Sequence, residues 1–221
     1  MKTLYVPCYS KKDPLPLLKE NISHLDSYER IGLVATIQHV PKLREIKEHL
    51  ERQGKKAFVG GQILGCDVSK TAALAGSVDC ILYVGSGRFH PAAVAAQTDK
   101  PVYVLNPEAK TLTRIKEEET KKFSTKRKGR IALALSADVF GVLVSTKTGQ
   151  FHPGTAWRIK EAIEDDGRKA FVFAGDAVSP DNVLPFAVDA WVNTACPRIA
   201  EDHFKKPVIN PDELQYVLKK A

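Results

Sequence analysis

The chain has 221 residues, of which 43% are hydrophobic and 27% charged, with four cysteines and a formal net charge of +7. This length and apolar content suffice for a real core in one large domain or two small ones, and no apolar run reaches membrane-spanning length. The N-terminus, Met1-Lys2-Thr3-Leu4-Tyr5-Val6, enters strand-like sequence where a secretory leader would stand. That argues against a disulfide scaffold and for a cytoplasmic, reducing setting in which cysteines are free thiols or metal ligands.

In chain order, β-branched runs fall at residues 4–6, 31–37, 57–59, 80–84, 102–105, 140–145, 170–173 and 190–193. Amphipathic stretches separate them, which is the sequence form of a parallel sheet flanked by helices. Residues 42–53 read as a helix with Leu43, Ile46, Lys47 and Leu50 at helical spacing, stopped by Gly54. Residues 156–166 read the same way, stopped by Gly167. The excess positive charge gathers in residues 121–128, from Lys121 to Lys128. Without aromatic interleaving or a base-reading motif that run reads as a solvated helix face or linker, so no direct nucleic-acid binding is expected.

The two halves resemble each other. The run from Gly32 to Thr36 matches the run that starts at Gly141, Gly54-Lys55-Lys56-Ala57-Phe58-Val59 matches Gly167-Arg168-Lys169-Ala170-Phe171-Val172, and Val78-Asp79 matches Val188-Asp189. Arg88 then falls opposite Arg198, and Ser86 opposite Cys196. The shared order of strand, helix, glycine stop, strand and Val-Asp reads as a duplication. The fold expected is therefore α/β, with two related Rossmann-like lobes of parallel strands flanked by helices. The lobes span residues 1–110 and 130–221, joined by a charged helical connector over 111–129.

Ligands of such sheets bind outside the carboxyl ends of strands, where loops and helix N-termini present backbone N–H groups. Residues 61–67, 85–91 and 193–198 belong there. Cys66 and Cys196 each lie where backbone leaves a strand, in different parts of the chain, which suits two ligands of one soft metal centre. The glycine loop 85–91 can cradle an anion on bare amides with Arg88 as a charged clamp, although turn chemistry alone explains glycines between a strand and a helix equally well. Residues 145–150 also close a strand and carry Lys147, without the order of a phosphate-binding P-loop. His90 and His152 both stand in Phe-His-Pro, as repeat memory or as local turn packing. No histidine spacing suggests a zinc protease or zinc finger, and no Ser-His-Asp set is supported.

Three long segments carry a resemblance. Gly61-Gln62-Ile63-Leu64-Gly65-Cys66, Tyr83-Val84-Gly85-Ser86-Gly87-Arg88-Phe89-His90-Pro91 and Val192-Asn193-Thr194-Ala195-Cys196-Pro197-Arg198-Ile199-Ala200 resemble signature segments of the diphthamide synthase family, the 2-(3-amino-3-carboxypropyl)histidine synthases. Val34-Ala35-Thr36-Ile37-Gln38-His39 is similar as well, and the resemblance covers nearly the whole chain. It implies a [4Fe–4S] cluster held by three cysteines, one from each of three related α/β domains, with one iron open to S-adenosylmethionine. One-electron cleavage then releases an aminocarboxypropyl radical that adds to a histidine of translation elongation factor 2.

Carried onto this chain, the resemblance makes Cys66 and Cys196 cluster ligands. Gln62, Ser86, Arg88, Lys147, Gln150, Asn193 and Arg198 stand in loops expected around the cluster, available to the cofactor's carboxylate or the protein substrate. Typical family members begin with a further α/β domain bearing the first cysteine, and this chain is expected to start at the second. The third ligand is thus unassigned: Cys8 is the substitute within the chain, with a small buried thiol as its bland reading, and Cys80 reads as core. The partners implied are elongation factor 2, an electron donor, and either a second copy or a different chain that supplies the first domain; no membrane is involved. Two other readings stay open: a related Fe–S/S-adenosylmethionine enzyme with another substrate, and a non-catalytic or electron-transfer subunit.

Overall fold

The computed structural model describes residues 4–64 and 69–218, which divide into two compact units, Met1–Ser124 and Thr125–Ala221. In the first, strands β1 (Arg30–Ala35), β2 (Lys56–Gln62), β3 (Cys80–Val84), β4 (Val102–Asn106) and β5 (Thr111–Arg114) form one sheet in the order β2-β1-β3-β4-β5. The first four are parallel, and β5 pairs antiparallel to β4. Helices α1 (Leu15–Glu20), α2 (Leu43–Arg52), α3 (Ser69–Ala75) and α4 (Phe89–Thr98) accompany it. Helix α5 (Glu117–Ala134) contains the boundary between the units.

The second unit repeats the plan. Strands β6 (Val139–Ser145), β7 (Lys169–Gly175), β8 (Ala190–Asn193) and β9 (Val208–Ile209) lie parallel in the order β7-β6-β8-β9, with α6 (Pro153–Asp165), α7 (Pro180–Val183) and α8 (Pro211–Leu214). This is the expected α/β duplication, and the registers make the equivalence concrete. Ile31 pairs with Ala57 and Cys80 where Phe140 pairs with Ala170 and Ala190. The central strands are buried on both faces, which is why they read as unbroken apolar runs. In β1 and β3, Ile31, Leu33, Cys80 and Leu82 pack toward α2, and Val34, Ile81 and Tyr83 pack on the opposite side with Val94.

The repeated residues have physical roles. The Asp79 carboxylate accepts from the backbone N–H groups of Glu29 and Arg30 at 3.2 and 2.8 Å, and Asp189 accepts from Asp138 and Val139 at 3.2 and 3.0 Å. The Val-Asp repeat is thus a cap on the free amides at the head of each first strand. Gly54 and Gly167 take φ values of +78° and +84°, the left-handed helix stop that glycine adopts without strain. The cation after each stop ties down carbonyls: Lys55 donates to the Leu25 and Tyr28 oxygens, and Arg168 to those of Ala137 and Val217.

Several expectations need correction. Residues 4–6 form no strand; Leu4, Tyr5 and Val6 are exposed outside regular secondary structure, with no ladder partner among the described residues. Strands β5 and β9 escape the sequence reading, because Thr111-Leu112-Thr113-Arg114 carries one apolar residue and β9 has only two residues after Pro207. The stretch 111–129 therefore contributes an edge strand to the first sheet before its helix begins, and α5 passes through Gly129 to Ala134. Phe-His-Pro is not repeat memory: it opens α4 after β3 and α6 after β6, which are not equivalent positions. In both places it marks a helix start, where proline's missing N–H is tolerated.

Candidate functional site

At the carboxyl end of β2, the pairing with β1 skips a residue: Leu33 faces Val59 while Val34 faces Gly61. Gly60 is the extra residue of this bulge, and Gly61 sits at φ +80°. A Cβ on Gly60 would lie 2.5 Å from Leu74 Cδ1, so glycine also admits α3 against the strand. The bulge redirects the last residues of β2 and the start of the next loop. Gln62 emerges half-buried beside Ala35, and the Ile63 N–H donates to the Ala35 carbonyl at 2.9 Å. Cys66, the candidate ligand of this loop, lies outside the described residues.

The loop after β3 is closed from within. The buried Tyr83 hydroxyl donates to the Ser86 carbonyl at 3.0 Å, and the Gly85 N–H donates to the Leu105 carbonyl at 3.0 Å. A Cβ on Gly85 would meet the Tyr83 hydroxyl at 2.8 Å and Thr36 Oγ1 at 3.0 Å, and Gly87 takes φ +79°, so both glycines are required by the path. Ser86 is exposed at the tip. Arg88 is fully engaged: Nε and Nη2 donate to the two oxygens of Glu119, Nη1 to Thr113 Oγ1 at 2.9 Å, and Nη2 also to the Arg114 carbonyl at 3.4 Å. Glu119 in turn accepts from the Lys116 N–H at 2.9 Å, capping α5, and the Arg88 hydrogen bond holds its carboxyl below the usual range. Arg88 thereby braces the glycine loop to β5 and α5. Nearby, His90 stacks on Tyr83 with ring centroids 6.4 Å apart.

In the second unit the loop after β6 turns at Lys147-Thr148-Gly149-Gln150, where the Gln150 N–H donates to the Lys147 carbonyl and Gly149 takes φ +80°, as a type II turn requires. Lys147 is exposed and Gln150 half-buried. After β8, Asn193 is 1% exposed, and its amide organises the next turn. Nδ2 donates to the Cys196 carbonyl at 2.9 Å and to Asn210 Oδ1 at 3.1 Å, while Oδ1 accepts from the Ala195 N–H at 3.1 Å. Thr194 fastens the loop to the neighbouring strand through both its N–H and its hydroxyl, each donating to the Leu143 carbonyl. Cys196 is half-buried and precedes the 3₁₀ turn Pro197–Glu201. Arg198 is exposed, and neither it nor Lys147 has an ion-pair partner among the described residues.

The remaining cysteines separate cleanly. Cys80 is fully buried in β3, and burial pushes its thiol up to about 12, which suits a core residue and not a ligand. Cys8 is exposed, against its reading as a small buried thiol. Its segment crosses the carboxyl ends of β1 and β4, where the Ser10 N–H donates to the Gln38 carbonyl and Lys12 pairs with Glu108 at 2.6 Å. His39 is 3% exposed, its Nδ1 has no hydrogen-bond partner among the described residues, and burial lowers its pKa. No group of three or more metal-ligating side chains exists among the described residues. Cys196 is a free thiol, half-buried on a loop whose backbone is fixed through Asn193 and Thr194.

The residues that fix this loop escape the sequence reading. Glu213, 2% exposed, accepts from the Asn210 N–H at 2.9 Å in the capping box of α8, and from Arg127 Nε at 2.8 Å. Arg130 pairs with Glu201 at 2.8 Å, at the end of the turn that Cys196 opens. A signal for the first of these is nonetheless present: Asn210-Pro211-Asp212-Glu213 places a cap, a proline at the first helical position and a glutamate at the third.

A family model described as "Putative diphthamide synthesis protein" matches residues 1–221. The chain belongs to the diphthamide synthesis family. It is 35% identical to a 2-(3-amino-3-carboxypropyl)histidine synthase of Pyrococcus horikoshii, covering 98% of this chain and 65% of that protein. For the enzyme of the same description from Methanocaldococcus jannaschii the identity is 31%, covering 100% of this chain and 63% of the relative. A crystal structure of Dph2 from Pyrococcus horikoshii with a 4Fe-4S cluster superposes with a TM-score of 0.82 at 33% identity, over 95% of this chain and 63% of that one. The chain thus spans a little under two thirds of the length of these relatives.

Proposed function

We propose that the chain acts in diphthamide biosynthesis as a 3-amino-3-carboxypropyl transferase component, moving that group from S-adenosylmethionine to a histidine of translation elongation factor 2. The observation that carries the reading is the half-buried Cys196 on a loop held by Asn193 and Thr194, in a chain of this family. Cys196 and Cys66 would hold a [4Fe–4S] cluster as thiolates, with a third thiolate from Cys8 or from a second polypeptide. When bound, the cluster supplies the electron that opens a carbon–sulfur bond of S-adenosylmethionine.

The chain's own residues bind and orient. Lys147 and Arg198, exposed cations at the carboxyl ends of β6 and β8, attract a carboxylate. Gln62, Ser86 and Gln150 offer polar groups at strand ends, and Asn193 keeps the Cys196 loop in one conformation. Arg88 serves the site through the glycine loop that it braces. An electron donor and a second copy or partner chain complete the assembly, in the cytoplasm.

Anaerobic reconstitution tests the reading. The expected result is a site-differentiated [4Fe–4S] spectrum that is lost in Cys66→Ala and in Cys196→Ala, followed by transfer of label from S-adenosylmethionine to elongation factor 2. Full iron content and an unchanged spectrum in Cys196→Ala would overturn it. A Cys8→Ala variant with an intact cluster would remove Cys8 from the ligand set.

A further inference from the structure

A continuous polar chain runs through the second unit from α5 to the Cys196 loop. Arg127 Nε donates to Glu213 Oε1 at 2.8 Å, and Arg130 Nη2 stands 3.7 Å from the same oxygen. The other oxygen, Oε2, accepts from the Asn210 N–H at 2.9 Å, and Asn210 Oδ1 accepts from Asn193 Nδ2 at 3.1 Å. The same Asn193 amide donates to the Cys196 carbonyl and accepts from the Ala195 N–H. A cap of a short C-terminal helix needs no buried carboxylate with two arginines behind it, since the backbone N–H of Asn210 is a single neutral donor.

We infer that Glu213 is a positioning residue for Cys196, acting through Asn210 and Asn193. The two arginines fix the carboxylate, the carboxylate fixes the Asn210 backbone, and the Asn210 side chain selects the one Asn193 rotamer that holds both the Ala195 N–H and the Cys196 carbonyl. Because Glu213 and Asn193 are 2% and 1% exposed, water cannot replace either contact without opening the unit. Arg130 closes the far side of the same loop by pairing with Glu201. The inference rests on Cys196 being the functional thiol, as proposed above.

The test uses the full chain, reduced and free of iron, and follows alkylation of Cys196 by iodoacetamide with peptide mass spectrometry, taking exposed Cys8 as the internal reference. Loss of one net hydrogen bond in the relay is expected to raise the Cys196 rate roughly tenfold in Glu213→Gln and in Asn210→Ala. Asn210→Asp keeps the acceptor for Asn193 and is expected to retain the parent rate. Ile163→Ala, a core truncation in the same unit, is the control: it lowers stability and leaves the Cys196 rate unchanged. Parent-like Cys196 rates in both Glu213→Gln and Asn210→Ala would overturn the inference, as would an equal rise in Ile163→Ala. Failure of the functional reading is distinct, because it shows as cluster content indifferent to Cys196→Ala whatever the alkylation rates.

Discussion

After β3, Tyr83 donates its hydroxyl to the Ser86 carbonyl; after β8, Asn193 occupies the equivalent place and donates its amide to the Cys196 carbonyl. The backbone problem is the same in both units, a strand end that must turn sharply, and each solves it with a side chain reaching three residues ahead. The difference lies in the polar groups left over. Tyr83 offers one hydroxyl, and the loop it closes carries an exposed serine. Asn193 has a second donor hydrogen and an acceptor, which tie the thiol-bearing loop to Asn210 and thence to buried charge. The arginines diverge likewise: Arg88 is bound to Glu119 and Thr113, whereas Arg198 has no ion-pair partner among the described residues. One copy of the repeat has turned its loop into a brace and the other has left its cation available.

The two units should differ most at their first strands. A Cβ on Gly141 would lie 2.1 Å from Trp191 Cζ3, whereas the atoms nearest to one on Gly32 belong to Val78 and Ile81, at ordinary distances of 3.5 and 3.6 Å. Gly141→Ala is expected to destabilise the second unit by about 3 kcal/mol, and Gly32→Ala to cost the first less than about 1 kcal/mol. Both tryptophans, Trp157 and Trp191, lie in the second unit, so urea unfolding followed by tryptophan fluorescence reports that unit alone; the first unit is read by hydrogen exchange in β1 and β3. Equal losses in the two variants would mean that the sheets do not differ in packing at this position.

At the loops the changes should be milder. Arg88→Ala should cost about 1 kcal/mol, since its pair with Glu119 is partly exposed, and hydrogen exchange should quicken in β5 and the first turn of α5. Under the proposed function, Arg198→Ala should leave exchange unchanged while weakening S-adenosylmethionine binding, read by calorimetry. The opposite pattern would reverse the roles drawn from the two arginines.

Acid should change the molecule least. The Glu119 carboxyl is held below its ordinary value of 4.5 by the Arg88 hydrogen bond. Its contribution is therefore present in full above that value and lost as pH falls through the lowered one. The protection factors at Lys116 and Glu119, with the intrinsic pH dependence of exchange divided out, are expected to fall on acidification, and Glu119→Gln should abolish that fall.

The duplication is legible in the sequence because strands buried on both faces read as apolar runs, and because Gly54 and Gly167 must adopt a backbone that favours glycine. Strand β5 is not, since its place depends on antiparallel pairing with β4 and not on its own composition. The candidate loops are legible as strand ends rich in glycine, polar residues and cysteine. Their internal wiring is not. That Arg88 meets Glu119, or that Asn193 meets Asn210, depends on contacts between residues far apart in the chain. Cys80 is legible as core from the strand around it, and its buried thiol bears this out. Cys8 reads as buried only if its segment is a strand, and outside any strand it is exposed.

The aspartates that head β3 and β8 have a kinetic consequence. Each clasps the first strand of its unit, across 49 residues in one case and 50 in the other. Closure entropy grows only with the logarithm of loop length, so the two sheets face almost the same cost to bring their central strands together. At this step of central-strand pairing the units differ in side chains and not in closure length, and Trp191 against the bare backbone of Gly141 is the contact that sets them apart.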